Sequence, residues 1–242
     1  MKNKIYRTLL LSLVSLMGKS MFAEAKPLPD FKGFGTVNWG TKRYKFTLFK
    51  NEEKIEMGSV TFRNKLTKDR VILTDEYLLR FEGKPMSLNM TQVCRMDQYL
   101  SPVKIEFKGK GSDEFETFKA TIKDGQAKIE GQRNGMMEIP KGTVTSSAFM
   151  RIVTQLPRFK GATYRYDFAL EASEMNLKKE YLVKVIGKET IDSNGPVKCW
   201  KISQNGGGIG EQLYWVTDDG ILQRVLQDGR KQIDLQTGEP GD

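Results

Sequence analysis

The sequence has no histidine, only two cysteines, and no apolar run close to the length that crosses a bilayer. Without histidine, the Ser-His-Asp and Cys-His nucleophiles, histidine-ligated zinc and the usual general base near neutral pH are excluded. A transmembrane helix needs about 20 apolar residues, so we expect no such segment in the mature protein. What remains, 38% hydrophobic, 10% aromatic and 29% charged residues, is typical of a globular protein.

The N-terminus has the three parts of a secretory signal peptide. Three basic residues come first, an apolar run occupies residues 8–18, and Ala23-Glu24-Ala25 supplies small residues at a cleavage site. The pattern predicts a signal peptide over residues 1–25. We therefore expect an exported protein, periplasmic or extracellular, that is soluble once the signal peptide is removed.

Basic residues outnumber acidic ones throughout. The whole chain carries 39 Lys and Arg against 30 Asp and Glu, and without residues 1–25 the net charge is +6. This excess suits weak attraction to an anionic envelope polymer. One functional hypothesis is therefore an envelope interaction or structural protein that docks on a polysaccharide or a protein partner through its basic surface. Nucleic acid is not expected, because the basic residues alternate with acidic ones. The alternative interpretation is an ordinary solvated surface.

Alternation of apolar and polar residues predicts β-strands along most of the chain. Asp-Gly pairs at 124–125, 219–220 and 228–229 predict tight hairpin turns between some of them. The predicted strands lie near residues 44–49, 55–63, 70–81, 86–96, 103–107, 115–122, 126–130, 164–170, 181–186, 197–203, 213–217, 221–226 and 231–235.

One short helix is predicted over residues 148–153, between capping residues at 143–147 and a stop at Leu156-Pro157. A sheet of about a dozen strands must curl, split or close. The fold class is therefore mostly β: a large curved antiparallel sheet, half-barrel or barrel, with the helix against its concave face. We expect a single β-rich domain over residues 26–242, with two similar halves at 36–140 and 158–242.

The second half carries a family resemblance. Residues 140–158 (PKGTVTSSAFMRIVTQLPR) are followed by an aromatic strand and by the hairpin LYWVTDDGILQRV. These motifs resemble a family of exported bacterial β-rich proteins of unknown function, similar in outline to the periplasmic lipoprotein carriers of the Lol system. The resemblance implies carriage of a lipid or another apolar ligand at the cell envelope, with no catalytic set. The matching positions are Gly195, Cys199, Trp200, Ile202, Tyr214, Trp215, Asp218, Gly220 and Arg224.

An aromatic and methionine-rich interior is the candidate site. A curved sheet has a concave face that an apolar small molecule or lipid can occupy. The alternative is an ordinary filled core, which is the commoner role of aromatic stripes in sheets. The candidate lining residues are Tyr166, Phe168, Trp200, Trp215, Met90 and Phe149.

Sulfur-bearing residues concentrate in one predicted strand. Met86, Leu88, Met90, Cys94 and Met96 all have even numbers, so we expect them on one face. Soft sulfur ligands suit Cu(I), but flexible methionines also form pliable apolar walls. With no histidine in the chain, we favour the wall and expect no metal and no cofactor.

The two cysteines leave two interpretations open. In an exported chain, Cys94 and Cys199 predict one disulfide. The alternative is a pair of separate buried thiols, because sequence does not show whether their Cα atoms are close enough to bridge.

Paired carboxylates support a third functional hypothesis, a hydrolase acting on envelope polysaccharide. The pairs lie in charged or turn-like segments, where solvation is the simpler explanation, so no catalytic residue is assigned. They are Asp218 with Asp219, Glu52 with Glu53, and Glu114 with Glu116.

Overall fold

The structure is a computed structural model that describes residues 24–29, 40–50, 53–81, 83–111 and 116–236. All but the last two residues of the predicted signal peptide lie outside the described residues. No helix within the described ranges has the length and apolar character needed to cross a membrane.

The described residues form sixteen strands and one helix of seven residues. They are β1 (Lys26–Pro27), β2 (Lys42–Lys50), β3 (Glu53–Leu66), β4 (Arg70–Phe81), β5 (Lys84–Arg95), β6 (Pro102–Lys110), β7 (Phe118–Lys123), β8 (Gln126–Gly131), β9 (Gly135–Glu138), β10 (Thr143–Thr145), α1 (Ser146–Ile152), β11 (Thr163–Glu171), β12 (Asn176–Asp192), β13 (Pro196–Gly206), β14 (Ile209–Val216), β15 (Leu222–Gln227) and β16 (Lys231–Leu235). Every predicted strand is present. The three that sequence missed, β1, β9 and β10, have two to four residues, too few to show alternation.

The strands form one sheet, with neighbours in space that are mostly neighbours in sequence. Strands β11 to β16 form one antiparallel series, β16 then pairs with β2, and β2 to β9 form a second series. Only β1 and β10 run parallel to their neighbour, which is β11 in both cases. No described pairing joins β9 back to β11, so the sheet curves without closing. The predicted fold class is confirmed.

Side chains bring the two ends of the curved sheet together where hydrogen bonds do not. Leu170, Ala172 and Met175, at the end of β11 and in the following turn, pack in one buried cluster with Phe107 and Phe118 of β6 and β7. On the same side, Arg133 Nη1 donates to the main-chain oxygen of Glu174 at 2.5 Å. The result is a barrel-like shape with an interior that α1 partly fills.

The helix α1 begins where the sequence offers a cap. Thr145 Oγ1 accepts a hydrogen bond from the Ala148 amide at 3.1 Å, the usual N-cap arrangement. Phe149 then packs on the concave face, stacked on Tyr166 with ring centroids 5.4 Å apart and edge-on to Tyr214 at 5.5 Å. The prediction of a short helix against the concave face is confirmed.

A buried ion pair fixes α1 to the sheet. Arg151 Nη2 lies 2.6 Å from Asp75 Oδ1 of β4, and the two side chains are only 5% and 1% exposed. Ser147 Oγ donates to the other oxygen of Asp75, and Arg151 Nε donates to Asn64 Oδ1 at 2.8 Å. The guanidinium carbon also lies 4.6 Å above the Phe62 ring. A buried charge pair with this many partners sets the position of the helix.

The two cysteines are free and lie in separate buried clusters. Cys94 belongs to the main core on the inner side of the sheet, whereas Cys199 packs with Ile191 and Trp215 in a small cluster on the outer side. A disulfide cannot join side chains on opposite faces of a sheet. The predicted disulfide is therefore not formed, and the alternative of two separate buried thiols describes the structure.

Candidate functional site

The concave side of the sheet encloses a cavity of about 520 Å³. Side chains from β11 round to β6 form its walls, and Ser146, Phe149 and Met150 of α1 form its floor. Cavities that hold small molecules in proteins have volumes of about 300 to 1,000 Å³. The concave face is therefore only partly filled by core side chains.

Strand register sets the order of residues along one wall. Gln204 lies opposite Gln212, Gln212 opposite Gln227, and Gln227 opposite Lys231, so these side chains form a polar row across β13 to β16. Directly opposite residues in antiparallel strands point to the same face, which explains why the row continues over four strands. We call these four residues the polar row; all of them line the cavity.

The row beneath the polar row is apolar for the same reason. Tyr214 lies opposite Val225, Val225 opposite Ile233, and Ile233 opposite Phe46 of β2. Because side chains alternate along each strand, the next inward-facing position is two residues away, and at these positions the sequence is hydrophobic. The cavity thus becomes apolar away from the polar row.

The opposite wall comes from β4, β5 and β6 and is apolar. Leu79 lies opposite Met86 and Tyr77 opposite Leu88 across the β4–β5 hairpin. Unbranched methionine side chains adapt to ligands of different shape. We call the following residues the methionine wall: Tyr77, Leu79, Met86, Leu88, Met90 and Phe107.

A chain of hydrogen bonds orders the side of the cavity near β11 to β14. Gln204 Nε2 donates to Tyr166 Oη, and Tyr214 Oη lies 2.5 Å from Gln204 Oε1 and 2.6 Å from Gln212 Oε1. Burial raises the pKa of both tyrosines far above the ordinary value, so both hydroxyls stay protonated. This side offers fixed neutral donors and acceptors.

Four charged side chains also face the cavity: Glu171, Glu174, Lys178 and Lys231. Glu171, at the end of β11, is half-buried and accepts hydrogen bonds from the Ser146 and Ser173 hydroxyls, each at 3.2 Å. Burial and, to a smaller degree, the nearby Glu174 carboxylate raise its pKa, an effect that the two hydroxyls and Lys231 partly offset. We call the end of the cavity where these charges lie its mouth; Glu171 is the last residue of β11 and Lys231 the first of β16.

Three of the six candidate lining residues line the cavity, and three do not. Met90, Phe149 and Tyr166 face it from β5, α1 and β11. Phe168 does not line the cavity, whereas its neighbour Ala169 does, so the inward-facing positions of β11 change from even to odd numbers between Tyr166 and Ala169. The remaining two residues, Trp200 and Trp215, lie elsewhere.

Both tryptophans interact with charged side chains outside the cavity. Trp200 Nε1 donates to Asp218 Oδ1 at 2.7 Å, with Lys188 Nζ 4.9 Å above its ring. Trp215 belongs to the outer cluster and donates to Glu189 Oε1 at 2.6 Å. Trp200 packs against the main core on the inner side of the sheet without lining the cavity, whereas Trp215 faces the outer side.

Sequence reasoning missed the polar half of the site. The residues of the polar row were not candidates because isolated glutamines and a lysine are the normal side chains of a solvated surface. One signal was available: the Asp228-Gly229 turn predicts a hairpin in which Gln227 faces Lys231. Extending that register to β14 would have placed Gln212 in the same row.

Four of the five residues of the sulfur-bearing face lie on the inward side of β5, and the fifth, Met96, lies beyond the end of β5 and packs against the main core. Met86, Leu88 and Met90 line the cavity, and Cys94 lies further along the same inward side of β5. Burial raises the pKa of the Cys94 thiol to about 12, so the thiolate that Cu(I) prefers is disfavoured there. Among the residues that the structure describes, no group of three His, Cys, Asp or Glu side chains could hold a metal ion.

The carboxylate pairs do not resemble a hydrolytic site where the structure describes them. Asp218 is exposed, and hydrogen bonds from Lys188 and Trp200 lower the pKa of its carboxyl group. A general acid needs the opposite shift. Thr217 Oγ1 donates to the neighbouring Asp219. Glu52 and Glu114 lie outside the described residues, so their pairs are not described.

Comparison with known proteins supports the fold. No family model and no curated protein matches the chain. Among solved structures, it is similar to a crystal structure of a beta-barrel-like protein of a domain of unknown function, DUF1849, from Brucella abortus. The two share 12% sequence identity with a TM-score of 0.56, over 88% of this chain and 97% of that chain. At this identity the similarity shows a β-rich, barrel-like fold and nothing about the ligand.

Proposed function

We propose that the protein is a non-catalytic binding protein that holds a lipid-like or other apolar small molecule in the concave cavity. The observation that carries this proposal is the two-sided lining: hydrogen-bonding side chains on β13 to β16 face the methionine wall of β4 to β6. The polar row differs from ordinary core packing, because Gln212, Gln227 and Lys231 are not fully buried and face the open space of the cavity. A ligand with a polar end and an apolar body satisfies both walls.

Binding is tested by organic extraction and mass spectrometry of the protein purified under native conditions. We expect one class of amphiphilic molecule at near-stoichiometric amount, absent from an unrelated exported protein treated in the same way. A clean extract, together with no binding of added lipid-like probes, would contradict the proposal.

A cavity-filling variant sharpens the test. Leu88→Trp places a large ring on the methionine wall, whereas Thr91→Trp places the same ring on the outer side of the same strand. We expect Leu88→Trp to lose the retained molecule and Thr91→Trp to keep it, with both proteins folded by circular dichroism. Equal retention by the two variants would place the molecule outside the cavity.

We also propose that the protein acts in the cell envelope after export. The chain directly after the predicted cleavage site is part of the fold, since Lys26–Pro27 pairs with β11 and Leu28 is buried in the main core. Cleavage after Ala25 would therefore leave the sheet complete. N-terminal sequencing of the protein from a periplasmic extract should begin at Lys26; full-length protein found only in the cytoplasm would contradict export.

A further inference from the structure

Two opposite charges at the mouth of the cavity face the same space without pairing. Glu171 and Lys231 both line it, and Lys231 is close enough to affect the pKa of Glu171. Within the described part of the chain, however, neither Lys231 nor Lys178 has a carboxylate oxygen within 4.0 Å. The Glu171 carboxylate is held by the Ser146 and Ser173 hydroxyls, and both hydrogen bonds go to the same oxygen, Oε1.

The other charged groups at the mouth keep the charges balanced. Glu174, in the turn after β11, and Lys178, on β12, also line the cavity. The mouth therefore carries two carboxylates and two ammonium groups, with no net charge. A ligand with a single charge would give the mouth a net charge. An uncompensated charge costs more free energy in a site that is partly removed from water than at an open surface.

We infer that the ligand is a single-chain zwitterionic amphiphile, with its ammonium group at Glu171, its phosphate or carboxylate at Lys231 and Lys178, and its chain along the methionine wall. The inference rests on the proposed function, since it names the class of molecule that the same cavity holds. The glutamines of the polar row lie in the same row as Lys231 and next to the apolar row, so their amides can bond the ester or hydroxyl oxygens that join a headgroup to a chain. The volume of about 520 Å³ suits one chain with a headgroup.

The inference is tested by calorimetric titration of the full mature chain with four probes that carry a chain of the same length. They are lauroyl lysophosphatidylethanolamine, laurate, dodecylamine and dodecyl maltoside, each below its micelle concentration. We expect the zwitterion to bind at least about tenfold more tightly than either singly charged probe, because it gains one more charge-assisted contact.

Two variants separate the two contacts. Glu171→Gln should lower the affinity for the zwitterion and for dodecylamine about tenfold and leave the affinity for laurate unchanged. Lys231→Gln should lower the affinity for the zwitterion and for laurate and leave the affinity for dodecylamine unchanged. Glu211→Gln and Lys179→Gln, which neutralise exposed residues that do not line the cavity, are the matched controls and should change nothing.

Each result has one meaning. If laurate and dodecylamine bind as tightly as the zwitterion, the zwitterion inference is wrong while binding itself stands. The same holds if neither Glu171→Gln nor Lys231→Gln changes the relative affinities of the probes. If none of the four probes binds, the zwitterion inference is wrong, and if the organic extract is also clean, the proposed function is wrong as well. If only dodecyl maltoside binds, the cavity takes a neutral amphiphile and the charges at its mouth play no part.

Discussion

Replacing Asp75 with asparagine tests whether the buried ion pair holds α1 on the sheet. The carboxylate accepts hydrogen bonds from Arg151 and Ser147, and its side chain is 1% exposed. Asparagine keeps the shape and removes the charge, so Arg151 stays buried without a counter-ion. Removing one partner of a buried pair costs about 3 to 5 kcal/mol.

The expected effect is large enough for thermal denaturation to detect. In a chain of this size, each kcal/mol lowers the melting temperature by about 2 to 4 °C, so Asp75→Asn should lower it by roughly 6 to 20 °C. Because α1 also forms the floor of the cavity, this variant should lose retained ligand as well. Near-ultraviolet circular dichroism should change too, since Phe149 stacks on Tyr166.

Two comparisons make the reasoning refutable. The pair Lys45 with Glu56 has side chains that are 38% and 59% exposed, so Glu56→Gln should change stability by less than about 1 kcal/mol. The double variant Asp75→Leu with Arg151→Met removes both charges and should recover much of the loss. If Asp75→Asn lowers the melting temperature no more than Glu56→Gln does, or if the double variant is less stable than Asp75→Asn, the ion pair does not have the role assigned to it.

Three further predictions follow from buried or constrained residues. Burial raises the pKa of Glu171 in the folded state, so its ionised form opposes folding. Glu171→Gln should therefore raise the melting temperature at pH 8, and this gain should vanish below the unfolded pKa of about 4.3. A lower melting temperature of the variant at pH 8 would contradict this. Cys94 and Cys199 should react with a thiol reagent only after denaturation, and the denatured protein should then show two free thiols without any reductant. If no free thiol is detected, the two cysteines form a disulfide after all. Gly58→Ala should destabilise strongly, since φ is +138° and a Cβ would lie 2.0 Å from the Leu78 oxygen, whereas Gly135→Ala, with open space around it, should be nearly neutral by urea denaturation.

The polar half of the candidate site shows where pattern analysis stops. Met90 and Tyr166 were candidates because apolar residues in alternation indicate an inner face, and Phe149 because it lies on the predicted helix against the concave face. Gln204 and Lys231 carry no such signal, since the same residue types cover any solvated surface. They became candidates only when the register between strands placed them in one row over an apolar wall.

By itself, the sequence determined the secondary structure and the strongly curved sheet. Alternation with period two, Asp-Gly turns and one capped apolar segment are local signals, and each strand or turn depends on residues close together in the chain. The tertiary structure decided which residues share a space: the pairing of β16 with β2, the placement of Cys94 and Cys199 on opposite faces, and the meeting of Glu171 with Lys231 at the mouth of the cavity. These depend on register and curvature summed over many strands, and a shift of one residue in any strand would turn its side chains to the other face.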